Sequence, residues 1–430
     1  MTYTRSVFHQ SYLLPLSNYP HLLYLLVSVK RILKIIIIVT VPTLAISLAA
    51  VFCIVTSRKL SDGPDKSDGS GGIPSCEDRQ VLFTRSPVNL DEITSITPLG
   101  NLNPPGHTFP VKHMYFNLKD IRTSADADEP TPDRILYAPG EIWITQISST
   151  EYLDKNESDY SIDFSPCDEF HAYFIHVTSL SEKLDEVFTQ SKDDCWEEDL
   201  GGERMRNCDK DVHISMQAGE EIGTVGGNKY NFDLGTSDMR VEPSEFARGD
   251  KRFEGIGYVV CPLDYFSDDI KEVLYNKLGD SSGKDKRTIE PICGTPHQDL
   301  LGTAQGVWYL KGSSNYNSEE DHIALVHDNI DPRIPVFSLG NSLETFGIQT
   351  GTYRFDPTDS GLVDRDFDDV TADGNIYCYE LNTGRDEDNF ISILLQLEND
   401  ETLKVGKGAA TQCGKGPWEF GDYLTFEKLQ

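Results

Sequence analysis

The sequence predicts a mainly β protein behind one N-terminal membrane-spanning helix, with two β domains in series, and three observations carry that expectation. First, residues 35–56 are uncharged and apolar between Lys34 and Arg58, and as a helix rising about 1.5 Å per residue they would extend roughly 33 Å, enough to cross a bilayer. Second, from Cys76 to Cys261 the chain runs through short segments rich in β-formers and broken by turn residues: HMYFNL, RILYAPGEIWITQIS, DYSIDFSP, FHAYFIHVTSL, HISMQAGEEIGTVGG and YNFDLG. Third, the same pattern resumes beyond a polar stretch, with GVWYLKG, HIALVHDN, PVFSLG, GTYRFDP, NIYCYEL, FISILLQLEN and ETLKVGKG.

Taken in order, residues 1–34 form a short N-terminal segment. Lys30, Arg31 and Lys34 precede the apolar run, and only Arg58 and Lys59 follow it before the acidic SDGPDKSDG. The positive-inside rule therefore puts the N-terminus in the cytoplasm and everything after the span outside the cell. Residues 57–75, rich in Gly, Ser and Asp, read as a flexible tether. An antiparallel β domain occupies 76–278 and ends in one amphipathic helix, YFSDDIKEVLYNKLG, with Phe266, Ile270, Val273 and Leu274 at helical spacing. Residues 279–292 read as a linker, and 293–430 as a second small β domain, a barrel or a sandwich.

The net charge of −32 bears on partners. Residues 1–59 carry six basic side chains and no Asp or Glu, so the remainder is more acidic still. Such a surface repels polyanions, which excludes nucleic acid as a partner class. Of the nine cysteines, Cys53 lies in the apolar run and eight lie outside it. An even number without CxxC pairs, in an oxidising compartment, reads as disulfides. Nearest-neighbour pairing gives Cys195 with Cys208, Cys261 with Cys293, and Cys378 with Cys413, although spacing alone does not fix connectivity.

The segments that carry chemistry are GHTFPVKHMYF, RILYAPGEI, YFIHVTSLS and QAGEEIGTVGGNKYNFDLG. In that order, over roughly residues 100 to 240, they resemble the lysostaphin-type zinc endopeptidases. The resemblance implies a lysostaphin-like antiparallel β domain with the duplicated hybrid motif. It places His107 as the first zinc ligand, but Val111 stands where the family has Asp. His113, beyond Pro110, is the displaced candidate. On a straight strand six residues would part the two histidines by about 20 Å, so they reach one ion only if the chain bends at Pro110. Tyr173-Phe-Ile-His176 resembles the family's Tyr-x-His with one residue of slack, which makes His176 the catalytic candidate. Asn231-Phe-Asp233 falls on the family's His-x-His, and two residues separated by one share a strand face. Asn cannot exchange a proton at neutral pH, whereas Asp can ligate a metal.

The implied metal set is His107, His113 and Asp233, which zinc accepts with a position left open for water. Other motifs carry less. QAGEEIGTVGG reads as a tight turn and not a phosphate loop, since no Lys-Ser/Thr or helix start follows it. His322 and His327, five apart, face opposite ways on a strand. Asp364, Asp366, Asp368 and Asp369 imitate a calcium loop but lack its Gly and its last Glu, and read as a solvated acidic hairpin.

Two functions follow as expectations. One is a membrane-anchored cell-surface protein whose degenerate peptidase-like fold binds or packs against an envelope polymer or another surface protein. The other is a zinc-dependent envelope endopeptidase or hydrolase with an altered ligand set, in which His176 stabilises the developing oxyanion.

Overall fold

The computed structural model describes residues 72–120, 131–155, 157–190, 194–200, 203–227, 229–244, 256–313, 318–382 and 390–428. The expected span at 35–56 lies outside them, and among the described residues no helix is long and apolar enough to cross a membrane. Residues 71–430 form one compact unit.

The described chain is mainly β, in two sheets. The first contains β1 (Ile93–Thr97), β2 (His113–Leu118), β3 (Thr131–Tyr137), β4 (Ile142–Tyr152), β5 (Glu157–Cys167), β6 (Phe170–Leu180), β7 (Asp194–Leu200), β8 (Glu203–Met216), β9 (Glu221–Gly227) and β10 (Asn231–Asp238). Its order is β1-β2-β10-β6-β5-β4-β8-β7, with β9 pairing β3 and β6. Every ladder is antiparallel.

Period-two alternation explains which residues face the core. On β2, Met114, Phe116 and Leu118 are buried, so His113, Tyr115 and Asn117 belong to the opposite face. On β10, Phe232 and Leu234 join the core and leave Asn231 and Asp233 beside that same face of β2. The core is largely aromatic: Phe83 lies 5.0 Å from Phe266, and Phe164 stacks on Phe174 at 4.9 Å.

Two helices flank this sheet. Helix α1 (Glu182–Gln190) buries Leu184 and was not anticipated from the sequence. Helix α2 (Asp268–Tyr275) is the expected amphipathic segment. Ile270 and Leu274 point inward, but Val273 is exposed.

The second sheet contains β11 (Gly306–Leu310), β12 (Ile323–His327), β13 (Pro335–Leu339), β14 (Gly351–Arg354), β15 (Tyr377–Asn382), β16 (Phe390–Asn399), β17 (Thr402–Lys407) and β18 (Tyr423–Glu427). Its order is β14-β13-β12-β11-β18-β17-β16-β15. The two end strands, β14 and β15, come into contact, so of the two expected forms the sheet is the nearly closed barrel. Phe337, Phe355, Phe367 and Tyr379 fill it, with ring centroids 4.9 to 5.9 Å apart.

The segment 279–292 runs between the two sheets and is bonded to both. Gly279 N donates to Ile96 O on one side, and the Arg287 guanidinium donates to Asn329 O on the other. A small apolar cluster of Phe109 with Tyr309, Ala324 and Val326 adds a second contact between the sheets.

Four disulfides close the fold: the three nearest-neighbour pairs Cys195–Cys208, Cys261–Cys293 and Cys378–Cys413, and in addition Cys76–Cys167. QAGEEIGTVGG is a turn followed by β9. Gly223 there lies so close to Ser179 O that a Cβ would sit 1.9 Å from it, so no other residue fits without moving β6.

Candidate functional site

The cleft forms where β2, β10 and β6 lie side by side. Residues 100–111, which lead into β2, fold back on themselves. Gly100 N donates to Val111 O and Val111 N to Asn101 O, and Asn103 and His107 exchange both backbone hydrogen bonds. Residues 107–111 thus run opposite only 101–103, so the chain is compressed between the two histidines, in the stretch that contains Pro110. The His107 and His113 rings lie 5.5 Å apart, edge to face.

Asp233 lies at the centre. Its Oδ2 is 3.3 Å from His113 Nε2 and 3.6 Å from His176 Nε2. His176 reaches it by an irregularity. Residues 171, 173 and 175 alternate on β6, so residue 176 would ordinarily face the core. Between the pairs Tyr160↔Val177 and Ile162↔Phe174 the register shifts, and His176 takes φ 66°. This bulge turns the imidazole into the cleft.

Behind His176 stands Asp159 of β5, whose Oδ2 is 2.6 Å from His176 Nδ1, with Lys229 Nζ 3.8 Å from the same oxygen. The carboxylate fixes a proton on Nδ1 and aims Nε2 at Asp233. Tyr173 covers the opposite side. Its ring crosses β10 at Gly235, where any Cβ would lie within 2.1 Å of it. Its hydroxyl is buried, with no hydrogen-bond partner among the described residues. His107, Lys112, His113, Asp163, His171 and Tyr173 help to line a cavity of about 410 Å³. Asp163 and His171 pair at 2.8 Å on its wall.

Electrostatics follow from burial. Desolvation, reinforced by the charges of His107, His176 and Lys112, lowers His113 well below the usual imidazole range and keeps it neutral. Desolvation also pushes the Asp233 carboxyl up to about 7, against the pull of His176. Burial alone would lower His176, but the hydrogen bond to Asp159 and the charges of Asp233 and Asp159 outweigh it and raise it. Burial likewise raises Tyr173 well above an ordinary phenol.

All four residues singled out from the sequence, His107, His113, His176 and Asp233, belong to this cleft. His113 and His176 each contact Asp233, and His107 meets His113 edge to face. Among the described residues the buried Nε2 of neutral His113 has no hydrogen-bond partner, and it faces a carboxylate that burial makes costly to ionise. That nitrogen and that oxygen suit a zinc-type cation. The two imidazoles sit on either side of Asp233: the only ligand trio among the described residues with all donor atoms within 4.8 Å is Cys76, Cys167 and Glu169. Those sulfurs are bonded to each other, and Glu169 accepts from Cys76 N, so that trio is structural.

Sequence reasoning missed Asp159, Asp163 and Lys229. Asp159 meets His176 only through the β5–β6 register, and no local spacing encodes that. The remaining motifs have structural uses. His322 Nδ1 accepts from Leu310 N, and His327 pairs with Asp366 at 3.0 Å. Asp364 accepts from Glu380 N, and Asp369 pairs with Arg365.

No family model, curated protein or solved structure matches this chain.

Asp159→Asn tests how His176 is used. Losing the charged partner lowers the His176 pKa, so the alkaline limb of any pH–rate profile moves to lower pH. If the cleft is catalytic, activity should fall about 10- to 100-fold, with any metal content unchanged. A profile that does not move would remove His176 from the chemistry.

Proposed function

We propose that this chain belongs to the class of β proteins with a metal-dependent hydrolytic cleft, held outside the cell behind a membrane anchor. Within that class it is a zinc-dependent hydrolase acting on amide bonds of an envelope polymer or surface protein, with a ligand set altered from the lysostaphin-type pattern. One observation carries the reading: a single buried carboxylate oxygen lies between two imidazole Nε2 atoms, one of them oriented from behind by a second carboxylate.

His113 and Asp233 would hold the cation; the donor atoms of His107 do not lie within 4.8 Å of both, so His107 would have to move inward to complete the set. Bound there, zinc supplies polarisation of the scissile carbonyl and a more acidic water. The chain's own residues do the rest. His176 keeps its proton through Asp159 and offers Nε2–H to a developing oxyanion. The Tyr173 hydroxyl, protonated at any working pH, donates to substrate from the facing wall.

A second reading, a non-catalytic envelope-binding module, is favoured by Asn231. It lies beside Asp233, with Nδ2 3.4 Å from Asp233 Oδ1, where a second titrating group would serve catalysis and an amide cannot.

Metal analysis of the purified full chain after exhaustive dialysis separates the two. Hydrolysis predicts one zinc per chain, lost in His113→Ala together with cleavage of a peptide substrate. A folded chain with neither zinc nor cleavage assigns the cleft to binding alone.

A further inference from the structure

A second cavity, of about 370 Å³, opens further along the same face of β2 and β10. Tyr115, Asn117 and Asn231 of the first sheet line one side of it, and Asp328, Asn329 and Arg354 of the second region line the other. It exists only because the two sheets meet. His113 lines the histidine cleft and Tyr115 the second cavity, with their rings 5.0 Å apart. The Asp233–His113 pair therefore stands between two pockets on one continuous strand surface.

The lining selects a ligand class. Asn117 Nδ2 is held by Ser95 Oγ at 3.1 Å and Thr97 Oγ1 at 3.0 Å, and Asn329 Nδ2 by Pro98 O at 3.1 Å. Each amide is thus fixed, with its Oδ1 left to accept. Arg354 Nε and Nη2 both donate to Asp328 Oδ2, at 2.9 and 2.6 Å, so the one full positive charge is matched by a carboxylate. Asp280, also at the cavity, accepts from Ser282 Oγ and Asp285 N. An anion entering here meets carboxylates, and a cation meets Arg354. A neutral polyol suits the site, because each of its hydroxyls both donates and accepts, and Tyr115 offers a ring to its C–H face.

We propose that this cavity is a binding site for a neutral saccharide, seated beside Asp233. The site stands on its own lining and does not depend on whether the histidine cleft hydrolyses anything. If both hold, the group presented to the cleft carries a sugar.

The test is titration calorimetry on the full chain in lipid nanodiscs, free of sugar-headed detergent. The probes are neutral oligomers of glucose, mannose, galactose and N-acetylglucosamine, with N-acetylneuraminic acid and glucosamine as charged controls. At least one neutral oligomer should bind one per chain. Ser281, exposed at the cavity, allows obstruction without disturbing the core. Ser281→Trp, and separately Asn231→Ala, should weaken binding by about tenfold or more at an unchanged unfolding temperature. Failure of every neutral oligomer to bind, preference for a charged control, or binding indifferent to both substitutions would overturn the proposal.

Discussion

If the proposed hydrolase reading holds, Asp233→Asn should remove zinc from the dialysed protein and cut hydrolysis by well over about a hundredfold, beyond what losing a supporting partner costs. The same substitution should leave the metal-free fold intact and alter its response to pH. Burial raises the Asp233 carboxyl from 3.8 to about 7. The folded chain therefore holds this proton more tightly than the unfolded chain, and stability falls as pH rises across that interval. His176, also raised, acts in the same direction as pH passes through its folded value. His113, lowered from 6.5, acts oppositely and is spent once the unfolded imidazole has lost its proton. From about pH 6.5 upward the falling contributions outweigh what remains of the rising one. Unfolding temperatures of the metal-free protein should thus decline from pH 6.5 upward, and less steeply in Asp233→Asn. Equal slopes would mean that Asp233 is ionised in the fold well below neutrality.

Replacing both Cys76 and Cys167 by Ser should destabilise the protein more than removing any other disulfide. The bond closes a loop of 91 residues, worth between about 4 and 5 kcal/mol on chain-entropy grounds. Cys195–Cys208 closes only 13, worth about 3 kcal/mol. Both Cys76 and Cys167 are fully buried, so the serine hydroxyls add a desolvation cost. Denaturant midpoints of the two double variants give the order directly. A larger loss at Cys195–Cys208 would show that the β7–β8 hairpin matters more than loop length.

Strand positions were legible because alternation on β2 and β10 separates Met114, Phe116, Phe232 and Leu234 from the residues of the cleft. Helix α1 was in principle legible, since Leu184, Val187 and Phe188 recur at helical spacing, but nine residues rich in charge give a weak signal. The site was legible by residue type more than by spacing. His107 and His113 look too far apart until the compression of residues 107–111 is seen. His176 would face the core by alternation until the bulge is placed. Asp159 gave no signal at all, because its partnership with His176 is a property of strand register, and register is fixed by packing across the sheet.

The Cys76–Cys167 bond also has a mechanical meaning. A load applied through the N-terminal segment enters at Cys76 and crosses covalently to the end of β5, one tight turn before β6. Strands β1 to β5 lie inside the closed loop and carry none of that tension along their backbone. The pull continues instead from Cys167 into β6, which holds His176. Tension entering at Cys76 thus reaches the strand of the imidazole, while the strand that holds Asp159 is shielded from being peeled open.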